Sequence, residues 1–183
     1  MNAAHFFSQY FKIIERKISS IDISQLEQIA EMVGKINYAG KKVILVGNGG
    51  SAAMASHVAV DFTKAAGIRA VNFNEADLIT CFANDYGYEN WVASALELYA
   101  DSGDLAIMIS SSGKSPNILN GAQMAKSLGL SLITVSGFLS DNPLRKLGDL
   151  NLWVDSSAYN IVEMTHHVWL LSVIDYLIET KGI

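Results

Sequence analysis

Three short stretches of this chain combine residue types that handle anions and sugar hydroxyls. The first is Gly47-Asn48-Gly49-Gly50-Ser51, directly after the apolar run Val43–Val46. Glycines let a backbone turn sharply and approach a ligand closely. Ser51 is placed to cap the helix that follows, whose free N–H groups favour an anion. Without a ligand, the same residues would make a tight strand-to-helix turn. The loop lacks a Walker lysine, and Ala52 takes the third glycine place of a G-x-G-x-x-G pattern. No nucleotide cofactor is therefore expected. The second stretch is Ser110-Ser111-Ser112-Gly113-Lys114-Ser115, directly after Leu105–Ile109. The hydroxyls of Ser110, Ser111, Ser112 and Ser115, a flexible glycine and a helix starting at Ser115 form a neutral anion cradle. Pro116 suits the first helical turn. The plain alternative is a serine-rich loop that caps its own helix. The third is Asn84-Asp85-Tyr86-Gly87-Tyr88, where Asn84 and Asp85 either hydrogen-bond sugar hydroxyls or close a helix as a polar turn.

A separate set of residues offers acid–base or metal chemistry. His57 and Asp61 are four residues apart, on one face of a helix. Glu163, His166 and His167 lie on the final helix, and Glu163 and His167 repeat the four-residue spacing. Two such pairs facing each other bring two imidazoles and two carboxylates together. Such a group can hold one zinc or similar divalent ion through His57, Asp61, Glu163 and His167, or shuttle protons through Asp61, Glu163, His166 and His167. An ordinary helix ion pair and buried, hydrogen-bonded histidines would give the same pattern. His5, near the N-terminus, is assigned no role.

The elements that must position these residues follow from apolar periodicity. Residues 2–17 and 24–38 read as amphipathic helices, with Asp22 and Ser24 as caps for the second. This pair must bury its apolar face on the sheet or on another subunit. Short continuous apolar runs then alternate with helical stretches: Val43–Val46, Ala70–Phe73, Leu105–Ile109, Ser131–Val135 and Leu152–Val154. Continuous runs are expected of strands buried on both faces. The intervening helices are expected near 51–66, 76–83, 89–100, 115–128 and 142–147, and a long last one at 158–180. The alternation predicts an α/β fold, an open parallel sheet with helices on both sides, whose ligands bind at the carboxyl ends of the strands.

With 183 residues the chain suits one domain, helices over 1–40 and an α/β core over 41–183. Half of the residues are hydrophobic, so part of the surface is expected to lie between subunits. The net charge of −5 with scattered basic residues excludes a nucleic-acid stripe. It also means that a phosphate must be held by local donors. No run approaches about 18 apolar residues, so no membrane partner is expected. The first residues, MNAAHFFSQYFK, are not expected to form a signal peptide. The single cysteine, Cys81, excludes an internal disulfide. A cytoplasmic location fits.

At these residues the chain resembles a known family. GNGGSAAMASHVAVDF, CFANDYGY and ISSSGKSPN, in that order and spacing, are similar to the sugar isomerase (SIS) domain, and within it most similar to phosphoheptose isomerases. The resemblance implies a three-layer fold with a five-stranded parallel sheet of flavodoxin-like order, and a homotetramer with sites between subunits. It implies a first substrate loop at Asn48, Gly49, Gly50 and Ser51, a sugar-contact pair at Asn84 and Asp85, and a phosphate loop at Ser110, Ser111, Ser112 and Ser115. His57 matches a metal ligand, and Asp61 stands where the family has a glutamate that is both ligand and base. Glu163 matches a family glutamine. The family's catalytic histidine, eight residues further on, is Leu171 here. The implied reaction is aldose–ketose isomerisation of sedoheptulose 7-phosphate, supplying heptose for a surface polysaccharide. The alternatives are another ketose or amino-sugar phosphate as substrate, or a non-catalytic adaptor that binds a sugar phosphate and a protein partner.

Overall fold

The apolar runs become five strands of one sheet, and the amphipathic stretches become the helices that cover it. The structure is a computed structural model that describes residues 2–181. β1 is Val43–Val46, β2 Ala70–Asn72, β3 Leu105–Ser110, β4 Ser131–Ser136 and β5 Leu150–Trp153. They pair in the order β2-β1-β3-β4-β5, each neighbour parallel. The helices are α1 (Ala3–Ile18), α2 (Ile23–Tyr38), α3 (Gly50–Lys64), α4 (Ala76–Tyr86), α5 (Trp91–Tyr99), α6 (Pro116–Ser127) and α7 (Tyr159–Lys181).

Alternation along each strand divides the core into two layers. Val43, Leu45, Leu105, Ile107, Ile109, Ile133 and Val135 face α2, α3 and α7. Ile44, Val46, Ala106, Met108 and Leu132 face α5 and α6. All are fully buried, and each large aliphatic side chain contributes roughly 1.5–3 kcal/mol through burial. Truncating Ile107 to alanine would cost about 2–5 kcal/mol, because it sits mid-sheet with no way to refill the gap.

The strand order decides where a ligand can sit. From β1 the chain crosses to β2 on one side, while β3 lies on the other. The connections therefore diverge above β1 and β3, which opens a crevice at their carboxyl ends.

At the other end of the same strands the chain is tied shut. Asp104 is fully buried and accepts from the Lys42 backbone N–H at 3.0 Å, from the Asp101 N–H at 2.8 Å and from Lys42 Nζ at 2.6 Å. Lys42 Nζ also reaches Asp101 at 2.7 Å. Burial disfavours the lysine's charge, but the two carboxylates more than offset this and hold its pKa above the ordinary value.

Of the two expected caps, Asp22 does the work by accepting from the Ser24 N–H at 3.0 Å. α2 buries Ile29, Ala30 and Val33 on the sheet, whereas α1 buries no residue. The C-terminal end of α1 is fastened to α7, where the Trp169 indole N–H donates to the Ile18 carbonyl at 2.8 Å. By length and composition, α7 could cross a bilayer, but half of that stretch is buried, with Val162, Trp169, Leu170 and Ile174 in the core. Three expectations shift. α4 runs on through Tyr86 and takes Asn84 and Asp85 into its last turn. The expected helix over 142–147 contracts to a single 3-10 turn at Leu144–Lys146. Ser110 is the last residue of β3 rather than part of the loop.

Candidate active site

The glycine loop is built so that α3 begins as close to the sheet as the backbone allows. A Cβ on Gly47 would stand 2.7 Å from the Ser51 backbone carbon. Gly49 adopts φ 54, ψ −122 and is the N-cap of α3, a conformation that favours glycine. Ser51 therefore does not cap the helix; it is the second helical residue, and no side chain caps α3. Ser115 is the N-cap of α6 but likewise makes no side-chain cap bond. Its Oγ instead meets Ser110 Oγ at 3.1 Å. Both helices thus point first-turn N–H groups at the crevice without a protein side chain answering them.

The two loops enclose one cavity of about 300 Å³, lined by Asn48, Gly49, Gly50, Ser51, Ile109, Ser110, Ser111, Ser112, Ser115, Tyr159 and Glu163. Every glycine-loop and serine-loop residue picked from the sequence as a binding candidate is in this lining. The Ser111 hydroxyl is buried and has no hydrogen-bond partner. A buried hydroxyl left unpaired costs free energy that a bound acceptor would recover.

A reciprocal amide pair that sequence reasoning missed holds the loops in register. The Asn48 side-chain amide donates to Asn117 Oδ1 at 3.0 Å, and that of Asn117 donates back at 2.8 Å. Asn117 is buried on α6. The signal was available: a polar residue in step with Ile118, Gly121 and Ala122, on the face of α6 that meets the core. Gly113, at φ 64, is packed so closely by the Asn142 side chain that a Cβ there would collide with it.

Glu163 is the carboxylate of the lining. It lies flush against Gly50, so that a Cβ at that position would strike its carboxyl. Burial pushes its pKa up, opposed in part by an approach of the Ser111 hydroxyl that falls short of hydrogen-bond geometry.

The remaining candidates are distributed differently. Asn84 and Asp85 are exposed on the last turn of α4 and bond to each other, Asn84 Nδ2 donating to Asp85 Oδ1 at 2.8 Å. They are outside the lining, and their segment reaches it through Tyr88, whose hydroxyl donates to Asn48 Oδ1 at 3.2 Å. His166 must be corrected. Its neighbour His167 points outward, and the helical step of about 100° turns His166 into the core, where it is fully buried. Its Nε2–H donates to the Ser136 carbonyl at 2.9 Å, Nδ1 is unpartnered, and burial lowers its pKa to about 4. It is a neutral core residue that reaches no ligand.

His57 and His167 face each other across α3 and α7. His167 Nε2 and His57 Nδ1 are 2.9 Å apart, and His57 Nε2 is 3.2 Å from Asp61 Oδ2. Burial first, then the neighbouring His57, lowers the pKa of His167, against the opposing pull of Asp61. Both ring nitrogens of His57 are thus engaged within the protein, and Glu163 turns to Gly50 instead. Among the described residues no three His, Cys, Asp or Glu side chains come together as a metal-holding group. In this arrangement His57 directs both ring nitrogens at protein partners, and Glu163 lies apart from His57, Asp61 and His167.

Comparison with known proteins places this geometry. A family model described as the SIS domain matches residues 5–137. The phosphoheptose isomerase of Fusobacterium nucleatum is 29% identical over 181 residues, covering 96% of this chain and 93% of that relative. The phosphoheptose isomerase of Thermodesulfovibrio yellowstonii is 32% identical over 168 residues, covering 86% and 83%. Among solved structures, a phosphoheptose isomerase from Francisella tularensis superposes with a TM-score of 0.89 at 22% identity, covering 98% of this chain and 100% of that one. This last likeness speaks for the five-stranded fold.

Proposed function

The chain belongs to the SIS-domain family, and from that premise we propose that it is a sugar-phosphate isomerase that interconverts sedoheptulose 7-phosphate and an aldoheptose 7-phosphate. One observation carries the reading: two loops from adjacent strands meet at one cavity that holds an unpaired buried hydroxyl and a carboxylate.

The division of labour follows from the lining. The hydroxyls of Ser110, Ser111, Ser112 and Ser115 and the amide end of α6 take the phosphate, which orients the sugar without taking part in the chemistry. Glu163 is the base. It is preferred to Asp61 because it lines the cavity and Asp61 does not. Its carboxylate removes the proton from the carbon beside the carbonyl and returns it to the carbonyl carbon, and between these steps it carries the hydroxyl proton from the first carbon's oxygen to the former carbonyl oxygen, so atoms and charge balance over the cycle. A raised pKa suits a base that must hold the proton between the two steps. Amides at the start of α3 stabilise the enediolate oxygens. His167, one turn along α7 from Glu163, forms a chain with His57 and Asp61 of α3, suited to exchanging protons beside the site. No step is assigned to a metal.

The wider reading includes assembly into four copies, a cytoplasmic location and supply of heptose to a surface polysaccharide. Supporting the assembly, Phe6, Phe7 and Phe11 lie exposed on α1. The test is direct: purified protein is incubated with sedoheptulose 7-phosphate and the products are followed by NMR. Absence of any aldoheptose phosphate would sink the isomerase reading. A second reading, a non-catalytic adaptor, is favoured by Leu171, which packs against the core where the family carries its histidine. Sugar-phosphate binding without turnover would select it.

A further inference from the structure

Tyr159 lines the cavity and is more than half exposed as a residue, and no sequence pattern drew attention to it. It begins α7 one turn before Glu163, so the two side chains share a face. Its ring packs edge-on against Phe138, with centroids 4.9 Å apart. Phe138 is the one non-glycine residue at positive φ among the described residues, at 55°.

That turn is fixed on both sides. The Gly137 N–H donates to the Ser111 carbonyl, and the Phe138 N–H to the Ser156 carbonyl, each at 2.9 Å. A Cβ on Gly137 would stand 2.8 Å from Val162 and 3.1 Å from the Ser111 carbonyl. The turn is therefore wedged between the serine loop and α7. Glycine would adopt the Phe138 backbone without strain, so a bulky aromatic there implies a use for its ring. The use visible here is support of Tyr159.

We infer that Tyr159 selects the sugar: it is the wall against which the carbon chain beyond the phosphate lies, and Phe138 is its buttress. This rests on reading the cavity as a sugar-phosphate site. The phosphate takes the serine end, where the donors are. Tyr159 is the one aromatic in the lining, with an apolar face for sugar C–H groups and a hydroxyl for a sugar hydroxyl. Contacts of that kind discriminate chain length and hydroxyl pattern, while the phosphate end does not.

The test is calorimetric binding of three probes, namely inorganic phosphate, ribulose 5-phosphate and sedoheptulose 7-phosphate. Tyr159→Ala is expected to weaken the seven-carbon probe about tenfold and inorganic phosphate less than twofold, which collapses the preference between the sugars. Tyr159→Phe should lose only part of that preference. Phe138→Gly should lower the preference in the same direction while leaving the melting temperature unchanged or higher, which a merely structural role would not do. The inference is overturned if Tyr159→Ala leaves the ratio between the sugars unchanged, or weakens all three probes equally. If the wild-type protein binds none of the three, the reading of the cavity fails and takes the inference with it.

Discussion

The two ends of the β1–β3 pair are built on opposite principles. At the amino end, Lys42, Asp101 and Asp104 form a closed network in which the buried carboxylate accepts from two backbone N–H groups and an ammonium. At the carboxyl end, two helix starts lack side-chain caps, the Ser111 hydroxyl is unpaired, and Glu163 lies against Gly50. The same two strands thus carry satisfied polar groups where the fold needs tying and unsatisfied ones where a ligand is to be held. Local rules broken at one end are kept at the other, as expected when function is confined to a site.

Substitutions can sharpen or break that contrast. The largest effect belongs to the carboxyl end. Glu163→Gln keeps the shape and removes the base, so kcat should fall about 10²–10⁴-fold with the melting temperature unchanged. A loss below tenfold would return the base to Asp61. Next is the amino end. Asp104→Ala leaves the Lys42 ammonium and two N–H groups without their partner, and should destabilise the fold by about 3–5 kcal/mol in a denaturant titration, while kcat of the folded fraction is retained. A third test uses pH. The folded-state pKa of His166 is depressed to about 4 from the ordinary 6.5, so the unfolded chain binds the extra proton first. Stability is full above pH 6.5 and is lost as pH falls toward 4, by about 3 kcal/mol in all. His166→Leu should flatten that part of the stability–pH curve without changing kcat at pH 7.5. Ser111→Ala should be smaller: KM rises about tenfold, kcat holds, and stability stays or improves slightly because an unpaired hydroxyl is removed. Smallest is chelation, expected to change turnover less than twofold. A large loss restored by zinc would mean that His57 releases Asp61 or His167 to hold a metal.

Much of this was legible in the sequence because the signals were local. Continuous apolar runs marked the five strands, and the strand–loop–helix order of the two loops placed their residues at one crevice. What was hidden depended on rotation or distance. One helical step separates core His166 from outward His167, and two adjacent histidines in a sequence cannot show it. Asn84 and Asp85 looked like a loop because Asn, Asp and Gly cluster there, yet the apolar face of α4 carries the helix through Tyr86. Asn117 and Tyr159 act through contacts with residues 69 and 21 positions away, which no spacing rule reports.

The central claim is that both loops serve a single anion. Amide shifts in ¹⁵N-labelled protein titrated with sedoheptulose 7-phosphate test it directly. The amides of Gly49–Ser51 and Ser111–Ser115 should move most and saturate together with one dissociation constant. Movement in one loop alone, or two separate constants, would contradict it.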